Sequence, residues 1–281
     1  MHDLVILTWP RELNMTNNFG AIVDYRLSGQ VDYSAPMLPP GLALHSWESK
    51  PFFPANRQSP SLPILRHNQQ YHFQFIGSVT PHDGIYFQIT YTDHLGDRES
   101  VDTFKGVEGN FTLPKKAADY TIGLMNIDHE KLVFQGLVIN AVEPANDVDF
   151  FCNMAQRIYL VAPKKINRSG YQIIFQKQQR NGVMLAMKVK VPTYYITVDD
   201  YLDDSTSLYQ KVSLVIGDIR KRLPGRPIQE LLQQVEMSHL PVEVSPTTLQ
   251  QRLIEDNPKS RQNLLKPVSL QTIDQEGVSE E

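Results

Sequence analysis

A single cysteine, Cys152, stands among 281 residues, so no internal disulfide can staple the fold and an oxidising compartment is not implied. Long apolar runs are missing as well. No stretch approaches the roughly 18 residues that a membrane span needs. Nor does charge of one sign prevail. Lys and Arg number 27 against 31 Asp and Glu, a formal net charge of -4. That balance speaks against working by neutralising many phosphates, and no nucleic-acid partner is expected. The segment from Met1 to Pro10 has no basic leader, so no signal peptide is read there and the expected compartment is the cytoplasm.

Catalytic signatures are equally scarce. There is no G-x-S-x-G elbow, no phosphate-cradling G-x-x-x-x-G-K-[ST] and no G-x-G-x-x-G turn. The eight histidines include no pair at i and i+4 of the kind a helical zinc site needs, and they are read as solvent-facing or turn residues. Cys152 has no C-x-x-C partner and is read as a small buried residue. Asp199, Asp200, Asp203 and Asp204 lack the alternation and glycine of a calcium loop, and they suit a solvated approach to a helix N-terminus. Asp93, Asp97, Glu99 and Asp102 surround a turn and are read as solvated rather than as a glycosidase pair. No catalytic residue, metal or cofactor is expected.

What is present is alternation. Ile85, Phe87, Ile89 and Tyr91 alternate with Gln88, Thr90 and Thr92, and Tyr71, Phe73 and Phe75 alternate with His72 and Gln74. Tyr120, Ile122 and Leu124 do the same. Period two with polar residues opposite predicts strands with one buried face. Pro81-His-Asp-Gly84 and Asp93-His-Leu-Gly96 predict hairpin-like turns. The run from Lys131 to Val142 is apolar on both sides, which predicts a central strand or a bulge at Gly136. Seven prolines between 36 and 63 predict a long ordered loop.

The fold class that follows is mainly β: a jelly-roll β-sandwich over 1–144, then a smaller mixed α/β or helical segment over 145–256. Short strands are expected at 158–161, 171–175 and 194–198. A helix is expected over 208–223 after the cap Asp203-Asp204-Ser205, with further helices near Ile228 and Ser245-Pro246. Segment 145–256 is a candidate docking domain. Residues 257–281 are polar and unpatterned and are read as a disordered tail.

Binding candidates lie on the strands. Tyr86 shares a face with Gln88 and Thr90, and His72 and Gln74 are expected on the matching polar face of a neighbouring hairpin strand. An aromatic ring among amides and hydroxyls suits either a sugar or a protein interface. Trp47, Phe52 and Phe53 in the proline-rich segment are expected to be only partly buried.

The stretch Leu38-Pro-Pro-Gly-Leu-Ala-Leu-His-Ser-Trp47, followed by Asn56-Arg-Gln-Ser-Pro-Ser-Leu-Pro-Ile-Leu65, resembles the third accessory secretion protein of the accessory Sec system. Ile85-Tyr-Phe-Gln-Ile-Thr-Tyr91 and Asp119-Tyr-Thr-Ile-Gly-Leu-Met-Asn126 extend the resemblance over roughly 35–142. It implies a β-sandwich resembling a carbohydrate-binding module. It also implies a non-enzymatic chaperone or adaptor of Gram-positive bacteria. The implied partners are two sister accessory proteins, a dedicated SecA motor and a glycosylated serine-rich repeat preprotein, with the membrane met only peripherally through those partners. Trp47 and Arg57 are the motif positions singled out, as ligand contacts or loop anchors. The alternative is a free-standing carbohydrate-binding module or the remnant of a glycan-active enzyme.

Overall fold

The structure is a computed structural model, and it describes residues 3–11, 15–18, 20–50, 60–145, 147–165, 169–179, 181–199, 203–241, 245–259 and 264–271. The first ten strands are β1 (Asp3–Leu7), β2 (Ile22–Tyr25), β3 (Val31–Ser34), β4 (Ala43–Glu48), β5 (Gln70–Thr80), β6 (Ile85–Thr92), β7 (Arg98–Lys105), β8 (Glu108–Thr112), β9 (Asp119–Asn126) and β10 (Lys131–Ala141). A single turn, α1 (Val142–Ala145), leads to β11 (Val148–Asn153), β12 (Ile158–Pro163), β13 (Tyr171–Lys177), β14 (Gly182–Ala186) and β15 (Thr193–Val198). Then come α2 (Ser205–Arg222), α3 (Ile228–Gln233), β16 (Val235–Ser238), α4 (Pro246–Asp256) and β17 (Lys266–Val268).

These elements stack in four layers. A four-stranded sheet, β4-β9-β6-β7, faces a seven-stranded sheet built around β10. One edge of β10 carries β1 and β3, and the other carries β5 and then β8. Alternation explains the packing: Ile85, Phe87, Ile89 and Tyr91 of β6 turn inward onto Phe73, Phe75, Phe134 and Ile139. The outer side of the seven-stranded sheet is also buried. Leu4, Ile6, Val138, Val183 and Leu185 pack there against Phe150, Cys152, Tyr159, Val161 and Tyr195 of a third sheet, β16-β13-β15-β12-β11-β17. Helices α2, α3 and α4 cover that sheet's far side through residues such as Val212, Ile216, Leu231 and Leu253. β10 is therefore covered on both faces, which is why its sequence is apolar on both, and its ladder with β5 does bulge beside Gly136.

Three expectations are corrected here. The turn at Pro81–Gly84 closes tightly, with the Gly84 amide donating to the Pro81 carbonyl, but it carries the chain from one sheet to the other instead of forming a hairpin. The second half of the chain is not separate from the sandwich: β14 returns to pair with β1 along Asp3–Leu7. Gly182 makes that approach possible, because its φ is +147° and a Cβ there would lie 2.1 Å from the Ile6 carbonyl oxygen. Finally, part of the supposed tail is built in. β17 pairs with β11, while Leu264 and Leu270 are buried and their carbonyls accept from Asn153 and Asn140. A short apolar–polar segment pinned by two asparagine side chains carries no periodicity that could announce it.

The long helix starts where the acidic cluster places it. Asp204 is its N-cap, accepting from the Ser207 amide at 2.7 Å. Asp204→Ala should therefore cost about 1 kcal/mol of unfolding free energy in urea melts, with Asp204→Ser close to wild type. Equal losses in both variants would remove the cap from the account.

Candidate functional site

Among the described residues, no further layer packs on the outward face of the four-stranded sheet. β6 presents Tyr86, Gln88, Thr90 and Thr92 there, each half-buried. Their cross-strand neighbours set the surface. Tyr86 lies between Met125 and Lys105, Gln88 between Gly123 and Thr103, and Thr90 between Thr121 and Val101. On β4, Ser46 and Glu48 continue these rows beyond Gly123 and Thr121. Partial burial pushes the Glu48 carboxyl above its usual range. The result is a strand surface of hydroxyls and one amide around a single ring, with Lys105 and Glu48 as its charges and Met125 and Val101 as its apolar neighbours.

Tyr86 and Gln88 thus share the face that alternation assigned to them. His72 and Gln74 do not join them. β5 belongs to the other sheet, so they lie on the opposite side of the sandwich. His72 is fully buried, its Nδ1 2.9 Å from Asn110 Oδ1 and its Nε2 3.8 Å from Glu108. Burial lowers its pKa, and Asn110 and Glu108 only partly oppose that. Gln74 donates to Glu108 at 3.4 Å. His45 and His129 are buried as well, against the expectation of solvent-facing histidines. Trp47, expected near the surface, is at 0 % exposure, and its Nε1 donates to the Thr8 carbonyl at 2.9 Å. Arg57, Phe52 and Phe53 lie outside the described residues.

Four of the candidate carboxylates, Asp93, Asp102, Asp199 and Asp203, are occupied by structural work. Asp93 accepts from the amides of Leu95 and Asp97 in the β6–β7 turn, and Asp102 accepts from the Tyr91 hydroxyl at 2.7 Å. Asp203 meets Lys211 at 2.7 Å, and Asp199 meets Arg157 at 3.2 Å. Among the described residues, no three His, Cys, Asp or Glu side chains converge on a metal-sized site. The Cys152 thiol is buried, and burial pushes its pKa up to about 12. No helix among the described residues is long and apolar enough to cross a membrane.

One feature escaped the sequence. Arg157, at φ +54°, reaches across from the third sheet to donate to the Leu27 carbonyl of the sandwich at 2.9 Å. It bridges a cleft of about 580 Å³ between the two halves. Arg11, Leu27, Arg157 and Gln179 line it, far apart in the chain, so no local pattern could reveal it.

Residues 16–141, which hold β2 to β10, match the family model of the accessory Sec secretory system ASP3. That stretch is similar to the Asp3 family of the accessory Sec system. It is 30 % identical to accessory Sec system protein Asp3 of Staphylococcus aureus (strain NCTC 8325 / PS 47) over 144 residues, 51 % of this chain and 45 % of that one. It is 22 % identical to accessory Sec system protein Asp3 of Streptococcus gordonii over 129 residues, 46 % of this chain and 81 % of the relative. The chain thus spans less than half the length of the first relative. A crystal structure of accessory secretory proteins 1, 2 and 3 of Streptococcus pneumoniae aligns at TM-score 0.47 and 29 % identity, covering 49 % of this chain and 95 % of that one. The Asp3-like portion is the sandwich. The strand β1, the returning β14, the third sheet and its helices lie outside the matched residues.

Proposed function

We propose that this chain is a non-enzymatic adaptor of the accessory Sec system. It acts in the cytoplasm with two sister accessory proteins and a dedicated SecA motor to export glycosylated serine-rich repeat adhesins, and it meets the membrane only through those partners. One observation carries the reading: the family match falls on a sandwich with one side sealed by the third sheet and the other, around Tyr86 and Gln88, bearing no further layer among the described residues. A half-buried tyrosine is an aromatic of the kind that protein interfaces favour at their centre. The sister proteins would seat there. The Streptococcus pneumoniae structure, which holds accessory secretory proteins 1, 2 and 3, is in keeping with such a partnership.

The test is co-purification of the full chain with its two sister proteins from the native host. Wild type should recover both. Tyr86→Ala combined with Thr90→Arg should weaken recovery, because loss of a central aromatic anchor costs about 2 kcal/mol, or some thirtyfold in affinity. Its thermal unfolding should stay near wild type, since the positions face outward. Wild-type chain that recovers neither sister protein ends the adaptor reading. Unchanged recovery by the variant moves the interface elsewhere.

A further inference from the structure

β2 ends one side of the seven-stranded sheet, and among the described residues no strand pairs with its outer edge. The ladder on its inner side decides which backbone groups face outward. Across the β2–β3 turn the Arg26 amide donates to the Gln30 carbonyl at 2.8 Å. In that register the hydrogen-bonded pairs are Asp24–Asp32 and Ile22–Ser34, so the backbone groups of Ala21, Val23 and Tyr25 point away from β3. Two of them are engaged already. The Ala21 amide donates to the Asn18 carbonyl at 3.3 Å, and the Tyr25 carbonyl accepts from Arg11 at 3.3 Å. The Val23 amide and carbonyl, the Tyr25 amide and the Ala21 carbonyl have no hydrogen-bond partner among the described residues.

Edge strands are commonly guarded by a lysine or another lone charge. β2 is guarded poorly. Ala21, Val23 and Tyr25 turn onto the sandwich core, which leaves Ile22 outward at 75 % exposure. Leu27, just past the strand, is 72 % exposed. Met37 is 74 % exposed, and its Cβ lies 3.8 Å from where a Cβ on Gly20 would stand. The outward charges Asp24 and Arg26 meet each other at 3.2 Å.

A second β2 laid antiparallel, with Val23 on the two-fold axis, satisfies the open groups and leaves the engaged ones alone. The Val23 amide meets the Val23 carbonyl of the second copy, and the Tyr25 amide meets its Ala21 carbonyl, each bond being made twice by symmetry. The engaged Tyr25 carbonyl and Ala21 amide fall opposite each other. Ile22 comes to lie beside Asp24 of the second copy, and Leu27 reaches the end of the strand where its Met37 stands. Arg11 falls near its Ala21, so no like charge opposes it. We propose that two copies of this chain pair edge to edge along β2 and continue the seven-stranded sheet across a two-fold axis. So short a contact covers less than the roughly 1,200 Å² of a standard interface, and a Kd in the micromolar range is expected. Tyr86 lies on the outward face of the other sheet, so the dimer and the adaptor reading fail separately.

Sedimentation equilibrium of the full chain over roughly 1–300 μM is the experiment. Wild type should pass from monomer to dimer across that range. Ile22→Glu sets a carboxylate against Asp24 of the other copy, twice over, and should raise the dimer Kd at least about tenfold. Adding Asp24→Lys to it turns that repulsion into attraction and should bring Kd back to within about threefold of wild type. Leu95→Glu, an equally exposed apolar position on the β6–β7 turn, should leave Kd unchanged. Positions 22 and 24 face solvent in the monomer, so the thermal midpoints of these variants should stay near wild type. A chain that stays monomeric throughout overturns the proposal. So does a dimer indifferent to Ile22→Glu, or one that Asp24→Lys fails to restore.

Discussion

Trp47→Ala should lower the unfolding free energy by about 3–5 kcal/mol, a large share of the roughly 5–15 kcal/mol that typically holds a fold. The indole is sealed in the sandwich core, stacked on Phe134 at 5.6 Å and edge-on to Trp9 at 6.5 Å. Its removal leaves a cavity and also takes away the indole's hydrogen bond to the Thr8 carbonyl just beyond β1. Loss of that hydrogen bond adds about 0.5–1.5 kcal/mol to the cost of the cavity. Trp47→Phe keeps most of the stacking and gives up only the hydrogen bond and some volume, so it should fall between the two. Urea midpoints followed by circular dichroism would measure both. A Trp47→Ala protein with a wild-type midpoint would mean the side chain is on the surface after all.

Acid should destabilise the protein well before its carboxylates titrate. His45 lies between Trp9 at 4.5 Å and Trp47 at 4.6 Å, and burial lowers its pKa to about 3. The unfolded chain takes up that proton near pH 6.5, whereas the folded chain does so only near 3. The stability tied to the neutral ring is fully present above pH 6.5 and is lost as pH falls toward 3, by about 1.4 kcal/mol per unit. Burial shifts His72 and His129 in the same direction, which steepens the fall. Asp203 enters only later. Burial raises its pKa, but the hydrogen bonds from Lys211, the Asp199 amide and Ser207 outweigh that and hold it low, so its contribution disappears only below about pH 4. Glu48, raised by burial, works weakly the other way. Urea midpoints should therefore drop between pH 6.5 and 4.5, and His45→Gln should flatten that drop. A flat profile in wild type would remove the buried histidine from the account.

Much of the architecture was legible because period-two alternation is local. β6 and β9 read correctly residue by residue, and the two-sided apolarity of Lys131–Val142 already announced a strand with neighbours on both faces. The long helix and its aspartate cap were legible for the same reason. Pairing was not. Alternation says which side of a strand is buried, not which sheet holds it, so β5 and β6 looked like one hairpin and His72 and Gln74 seemed to stand beside Tyr86. Trp47 sits in a proline-rich stretch that reads as loop, yet β4 pairs there with β9 and turns the indole inward. The cleft under Arg157 was the least legible. Its walls come from segments separated by more than a hundred positions.

The dependence of β1 on β14 has a bearing on how the chain comes off the ribosome. The sandwich's edge is completed by Gly182–Ala186, which is translated only after the whole Asp3-like stretch has emerged. Until then β1 offers an unpaired backbone, and Leu4, Ile6 and Val138 offer bare hydrocarbon. A nascent intermediate of that kind is sticky, and a fragment cut at residue 144 would be frozen in it. Biosynthesis of the free-standing first half of this chain should therefore be a task for chaperones.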